Sequence, residues 1–166
     1  MSGRRLALAA ALLAAVGVIV WFFSGRGDER TVVQARLNRF ADEINQSTVD
    51  GFGTAARAVQ LSTYLTDDIE IDLGQGTTPI RGRATVIGMA ERLQPRTAAF
   101  KLSFQDVTVV LDPGQTTATV HLTAEFVRRS ITTGEESLDA REFSLGMRKV
   151  SGEWRIASAM AIQVLK

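Results

Sequence analysis

The chain has 166 residues, one histidine and no cysteine, which excludes disulfides, thiolate nucleophiles and cysteine-held metals. Its 19 basic and 18 acidic residues nearly cancel. With Arg4, Arg5, Arg26, Asp28 and Glu29 set aside, the two signs balance from Arg30 onward, which leaves no basic surface for a polyanion and argues against a nucleic-acid partner.

Residues 6–23 (LALAAALLAAVGVIVWFF) carry no charged or strongly polar side chain. A helix of this run, rising about 1.5 Å per residue, extends roughly 27 Å, close to the hydrocarbon thickness of a bilayer. The run ends in Val-Ile-Val-Trp-Phe-Phe with no Ala-x-Ala pattern behind it, so an uncleaved anchor is favoured over a secretory signal, and Trp21 suits the membrane interface. Arg4 and Arg5 form the short basic flank that stays in the cytoplasm. The expected layout is a cytoplasmic tail at 1–5, a transmembrane anchor at 6–23, a linker at 24–29 and a domain at 30–166. In a bacterium this is a single-pass protein of the inner membrane with its domain in the periplasm or cell exterior.

Asp28 can cap a helix whose inner stripe is Val33, Leu37, Phe40 and Ile44, and Gly51 and Gly53 interrupt it. Thr54 can cap a second helix with Ala58, Leu61 and Leu65 inward. The stretch TDDIEIDLG (66–74) reads as a strand, with Ile69, Ile71 and Leu73 on one face and Asp68, Glu70 and Asp72 on the other. A third helix is expected over 84–93, with Val86, Ile87, Ala90 and Leu93 inward. Strand-like runs follow at 100–111, 117–129, 140–149 and 153–165, separated by the turn chemistries DPGQ, TTGE and VSGE. Three helices and then a meander predict an α+β domain, its helices gathered on one face of an antiparallel sheet.

That order of elements, with YLTDDIEIDLG…PIRGRATVIGMAERL and the terminal KVSGEWRIASAMAI, resembles the nuclear transport factor 2-like superfamily over residues 30–166, including its SnoaL-like and ketosteroid-isomerase-like branches. The resemblance implies a cone-shaped domain in which three helices packed on a curved antiparallel sheet enclose an apolar pocket. In the isomerases the catalytic base is an aspartate on the inward face of the acidic strand. The resemblance places Leu73 there, with Asp72 one residue earlier and facing out. The oxyanion-binding tyrosine of those enzymes sits on the first helix, where Phe40 is the match. Hydrocarbon stands at both positions, so no catalytic residue is assigned.

A metal site is the competing reading of the acidic run. Same-face residues of a strand lie nearly 7 Å apart, too far for carboxylates to share a cation readily, so no metal or cofactor is assigned. His121 lies in TATVHLTAEF, where Val120, Leu122, Ala124 and Phe126 form the core side and His121 faces out with Thr119, Thr123 and Glu125. Phe40, Ile71, Phe104, Phe126, Met147, Trp154 and Met160 either fill the cone or line a cavity in it. Tyr64, Asp106 and Arg141 are the polar candidates for such a cavity, beside Phe40, Leu73 and Trp154. Asp106 interrupts the alternation of FKLSFQDVTVVL and predicts a bulge. Ser144 and Gly146 in one strand, with Ala157, Ala159 and Ala161 in the last, predict a flat outer face near His121, and relatives of this fold commonly dimerise through that face.

The leading expectation is a membrane-anchored, extracytoplasmic, non-catalytic domain that docks a protein partner or a second copy through its sheet. In layout it is similar to the periplasmic inner-membrane component of type IV secretion systems. The alternative is a binding module or enzyme for a small apolar molecule. A filled core at Phe40, Phe104 and Trp154 favours the first, and an open cavity with convergent polar atoms the second.

Overall fold

A computed structural model describes residues 28–50, 55–74, 76–92, 97–130 and 133–162. The expected anchor at 6–23 and the interrupting Gly51 and Gly53 lie outside the described residues. Among the described residues no helix is long and apolar enough to cross a membrane. Three helices, α1 (Glu29–Asp50), α2 (Ala55–Ser62) and α3 (Arg83–Arg92), pack with six strands. The strands are β1 (Leu65–Asp72), β2 (Ile80–Arg81), β3 (Thr97–Leu111), β4 (Thr117–Ser130), β5 (Glu136–Val150) and β6 (Glu153–Ala161).

The strands form one sheet in the order β2-β1-β6-β5-β4-β3. The β3–β6 meander is antiparallel as expected, but β1 runs parallel to β6, which corrects the reading of a wholly antiparallel sheet. The correction follows from chain order. A helix and four strands separate β1 from β6, and a connection that long lets the two strands run in the same direction. Leu65 is also reassigned: it is buried, but as the first residue of β1 and not as the end of α2.

The expected stripe of α1 is only half committed to the solid core. Val33 and Leu37 are 0% and 1% exposed and join a cluster with Val109, Val120, Met147, Trp154 and Ile156. Phe40 and Ile44, one and two turns further on, are only partly buried. The helix also solves the problem of an open sheet edge, since among the described residues β3 has no strand on its outer side. Asn45 accepts the Leu102 backbone N–H at 2.7 Å and donates to the Leu102 carbonyl at 2.9 Å, and the Gln34 amide donates to the Val107 carbonyl at 3.3 Å.

At its start, α1 is capped by Asp28, whose Oδ1 accepts the Arg30 N–H at 3.2 Å. Its first residue, Glu29, then clasps the β5–β6 hairpin. Lys149 Nζ donates to Glu29 Oε1 at 2.7 Å and Trp154 Nε1 donates to Oε2 at 2.8 Å. The Lys149 hydrogen bond and then that of Trp154 hold the Glu29 carboxyl below its ordinary range, against the opposing effect of burial. A carboxyl depressed on folding contributes stability that is present above its unfolded pKa of about 4.3 and is lost as pH falls through the lower folded value. Glu29→Gln should therefore cost about 1 kcal/mol at neutral pH. In urea denaturation followed against pH, the gap from wild type should shrink below about pH 4; a gap that does not change with pH would show that the clasp does not depend on the charge.

Candidate functional site

Between the concave face of the sheet and the helices lies a cavity of about 310 Å³. Period-two alternation builds its sheet wall. Ile69, Ile71 and Leu73 of the β1 segment, Leu102 and Phe104 of β3, and Leu122, Ala124 and Phe126 of β4 all face it. Phe143 and Leu145 of β5 and Ile156 and Ala159 of β6 complete that wall. Phe40 and Ile44 of α1 with Val86 and Ile87 of α3 form the roof, and Leu61 and Leu65 close one end. Among the described residues every lining side chain is a hydrocarbon. A polar ligand group taken into this space would find no side-chain hydrogen-bond partner there, at a cost of a few kcal/mol.

The chain matches no sequence pattern of a known protein family. No characterised protein matches it by sequence either. Solved structures do match. A Novosphingobium aromaticivorans protein provisionally assigned as an aromatic ring hydroxylase superimposes with a TM-score of 0.66 at 14% identity, over 84% of this chain and 91% of that one. A provisionally assigned scytalone dehydratase from the same organism gives 0.64 at 12% identity, over 83% and 88% of the two chains. A nuclear transport factor 2-like protein with a cystatin-like fold, also from that organism, gives 0.62 at 16% identity, over 90% and 86%. The domain has the nuclear transport factor 2-like fold.

Within that fold, Phe40 and Leu73 both line the cavity, Leu73 at 45% exposure where the cavity opens. Phe104, Phe126 and Ile71 line it too. Met147 and Trp154 do not; both are 2% exposed in the solid core, and the indole N–H of Trp154 is spent on Glu29. Tyr64 is also absent from the lining. Its ring packs on Phe40 at 5.5 Å, with the Arg36 guanidinium 4.2 Å from its centroid on the way from α1 to the Thr63 and Trp154 carbonyls. Arg141 stands opposite Ala124, one step past Phe143 on the same face, and is half exposed beside Asp139.

Asp106 marks the bulge that the broken alternation predicts. The β3–β4 register shifts between Gln105 and Thr108, and Asp106 takes a φ of 52°. The bulge does not aim it at the cavity: Asp106 is exposed and lies outside the lining.

The acidic run has other occupations. Asp67 pairs with Arg83 of α3, Asp68 with Arg148 of β5 at 2.6 Å, and Glu70 with Arg81 of β2 at 3.0 Å. Asp72 Oδ1 accepts the Gly74 N–H at 2.8 Å and shapes the turn that ends the strand. Each carboxylate thus has its own partner, three of them on three different elements.

One expectation about faces is overturned. Gly146 pairs with Ser158 but Met147 pairs with Ile156, so Ala157 is an extra residue in β6. The bulge reverses the alternation beyond it. Ala159 therefore lines the cavity, and Ala161, opposite Phe143, shares that face. The outer face carries Ser158 and Met160 instead, beside Gly146 and Ser144, with His121 opposite Ser144. A Cβ on Gly146 would sit 2.5 Å from Ser158 Oγ, so a larger residue there would force the serine hydroxyl to turn away.

Nothing in the sequence signalled the Ala157 bulge, which is why Ala159 was missed as a cavity residue. Asp106 allows a direct check that a bulge residue here is structural. A β-branched side chain is poorly tolerated at positive φ, so Asp106→Val should cost about 1–2 kcal/mol in urea denaturation. Asp106→Gly should be neutral or stabilising, by up to about 1 kcal/mol. Equal destabilisation by both would mean that the carboxylate itself is needed.

Proposed function

We propose that this protein is a membrane-anchored, extracytoplasmic binding module that holds a small apolar molecule, or the hydrocarbon part of a larger one, in the cone cavity. The observation that carries this reading is a 310 Å³ space whose described lining is hydrocarbon throughout. Ligand clefts run from about 300 to 1,000 Å³, so the space suffices for a small ligand. Binding without chemistry is the preferred form of the reading because the resemblance matches Phe40 and Leu73 to the positions of the isomerases' tyrosine and aspartate. The relatives provisionally assigned as a dehydratase and a ring hydroxylase support a small-molecule role for the cavity. The apolar run at 6–23 supports the anchor, and the basic flank supports an outward-facing domain.

Association through the outer sheet face stands beside this as a second reading. Val110 and Met160 are each 55% exposed there, and a shallow groove floored by Gly146 and Ala157 runs between the strands. Its occupant would be a protein partner or a second copy held in the same membrane.

The cavity reading is tested by filling the cavity. Ala159→Phe should lower the affinity for an apolar fluorescent dye at least about tenfold while leaving the thermal midpoint unchanged or raised, since filling a void commonly stabilises. Undiminished dye binding in a folded Ala159→Phe protein would remove the cavity as the binding site.

A further inference from the structure

A wholly hydrocarbon cavity can hold a ligand but cannot orient it. The groups that could do so lie one register step beyond its wall. On β5, the face that carries Phe143 and Leu145 continues outward through Arg141 and Asp139, which stand opposite Ala124 and Phe126 of β4. On β4, the same face continues past Phe126 to Arg128, opposite Phe100 of β3, whose ring packs on Phe126 at 5.8 Å. The apolar wall thus runs into a polar margin of two arginines and one aspartate.

The charges in this margin do not cancel. Arg141 Nε meets Asp139 Oδ2 at 3.3 Å, with side chains 52% and 39% exposed. That contact uses the Nε edge, so the terminal amino groups can take a second acceptor. Arg128 is exposed and adds a further positive charge on the same face.

From this placement we infer that the ligand is a single-chain amphiphile with an anionic head, its hydrocarbon tail in the cavity and its head at Arg141, with Arg128 adding positive charge further along the margin. The inference rests on the apolar-binding reading and narrows it to one chemical class. A half-hydrated carboxylate at the margin avoids the desolvation that would bar it from the cavity, while the tail takes the hydrocarbon space. A guanidinium suits such a head because its donors form a planar fork that matches two carboxylate oxygens. A neutral alcohol of equal chain length has the same tail and lacks the charge.

The test is calorimetric titration of the full-length protein in lipid nanodiscs at neutral pH with decanoate and with decanol, with empty discs as the blank. Decanoate should bind wild type about fivefold more tightly than decanol, the scale of a half-exposed ion pair. Arg141→Gln should bring the two ligands level and leave decanol unchanged. Arg141→Lys should keep most of the preference. Equal binding of both ligands to wild type overturns the head-group assignment and leaves the apolar cavity standing. Failure of both ligands to bind overturns the cavity reading and this inference with it. A preference lost equally in the Gln and Lys variants, with decanol binding intact, also overturns the role given to the charge.

Discussion

The architecture depends on how α1 lies along the unpaired edge of β3. Asn45 and Gln34 satisfy edge backbone groups that would otherwise face outward unpaired, and they do so more than two helical turns apart. Those contacts fix the helix along the strand, and the Glu29 clasp to Lys149 and Trp154 fixes its beginning. Once the helix is pinned, its two halves have different surroundings. The Val33–Leu37 half closes on a filled core, whereas the Phe40–Ile44 half roofs a space that the side chains do not fill. Interiors normally pack to crystal-like density, so a void of this size needs a rigid frame to persist.

The sheet supplies the other half of that frame. Extra residues at Asp106 in β3 and Ala157 in β6 break the ladder, and such bulges bend and twist the strands that carry them. At Ala157 the consequence is local and specific. The alternation reverses, an alanine comes to the cavity wall where a longer side chain would occupy it, and Met160 turns outward. One inserted residue thus decides both the size of the cavity and the chemistry of the outer face. The carboxylates of β1 play a different part: through Arg83, Arg148 and Arg81 they tie the strand to α3, β5 and β2.

Much of this was legible in the sequence because it rests on period and cap. The α1 stripe, the Asp28 cap, the outward acids, the inward Ile69, Ile71 and Leu73, and the β3–β6 meander all follow from spacing and turn chemistry. The bulge at Asp106 was legible because a charged residue interrupts an alternating run. The bulge at Ala157 was not, since RIASAMAI contains small and apolar residues on both faces and reads equally well in either register. The parallel β1–β6 pairing was hidden for another reason, as it joins segments about ninety residues apart with no local signal. Tyr64 and Trp154 were misplaced because aromatic residues with polar tips suit a pocket and a core alike. What decided between them was a partner, Arg36 for one and Glu29 for the other.

The functional account turns on one physical claim: that the space beneath Phe40 and Ile44 is open, apolar and dry. Apolar cavities of this kind stay empty of water and take up xenon, whereas polar ones hold ordered water. Diffraction from crystals of the protein pressurised with xenon tests the claim most directly. The account predicts xenon between Phe104, Leu145 and Ala159, with the surrounding side chains unmoved. Side chains collapsed into the space, or ordered waters filling it in place of xenon, would contradict it.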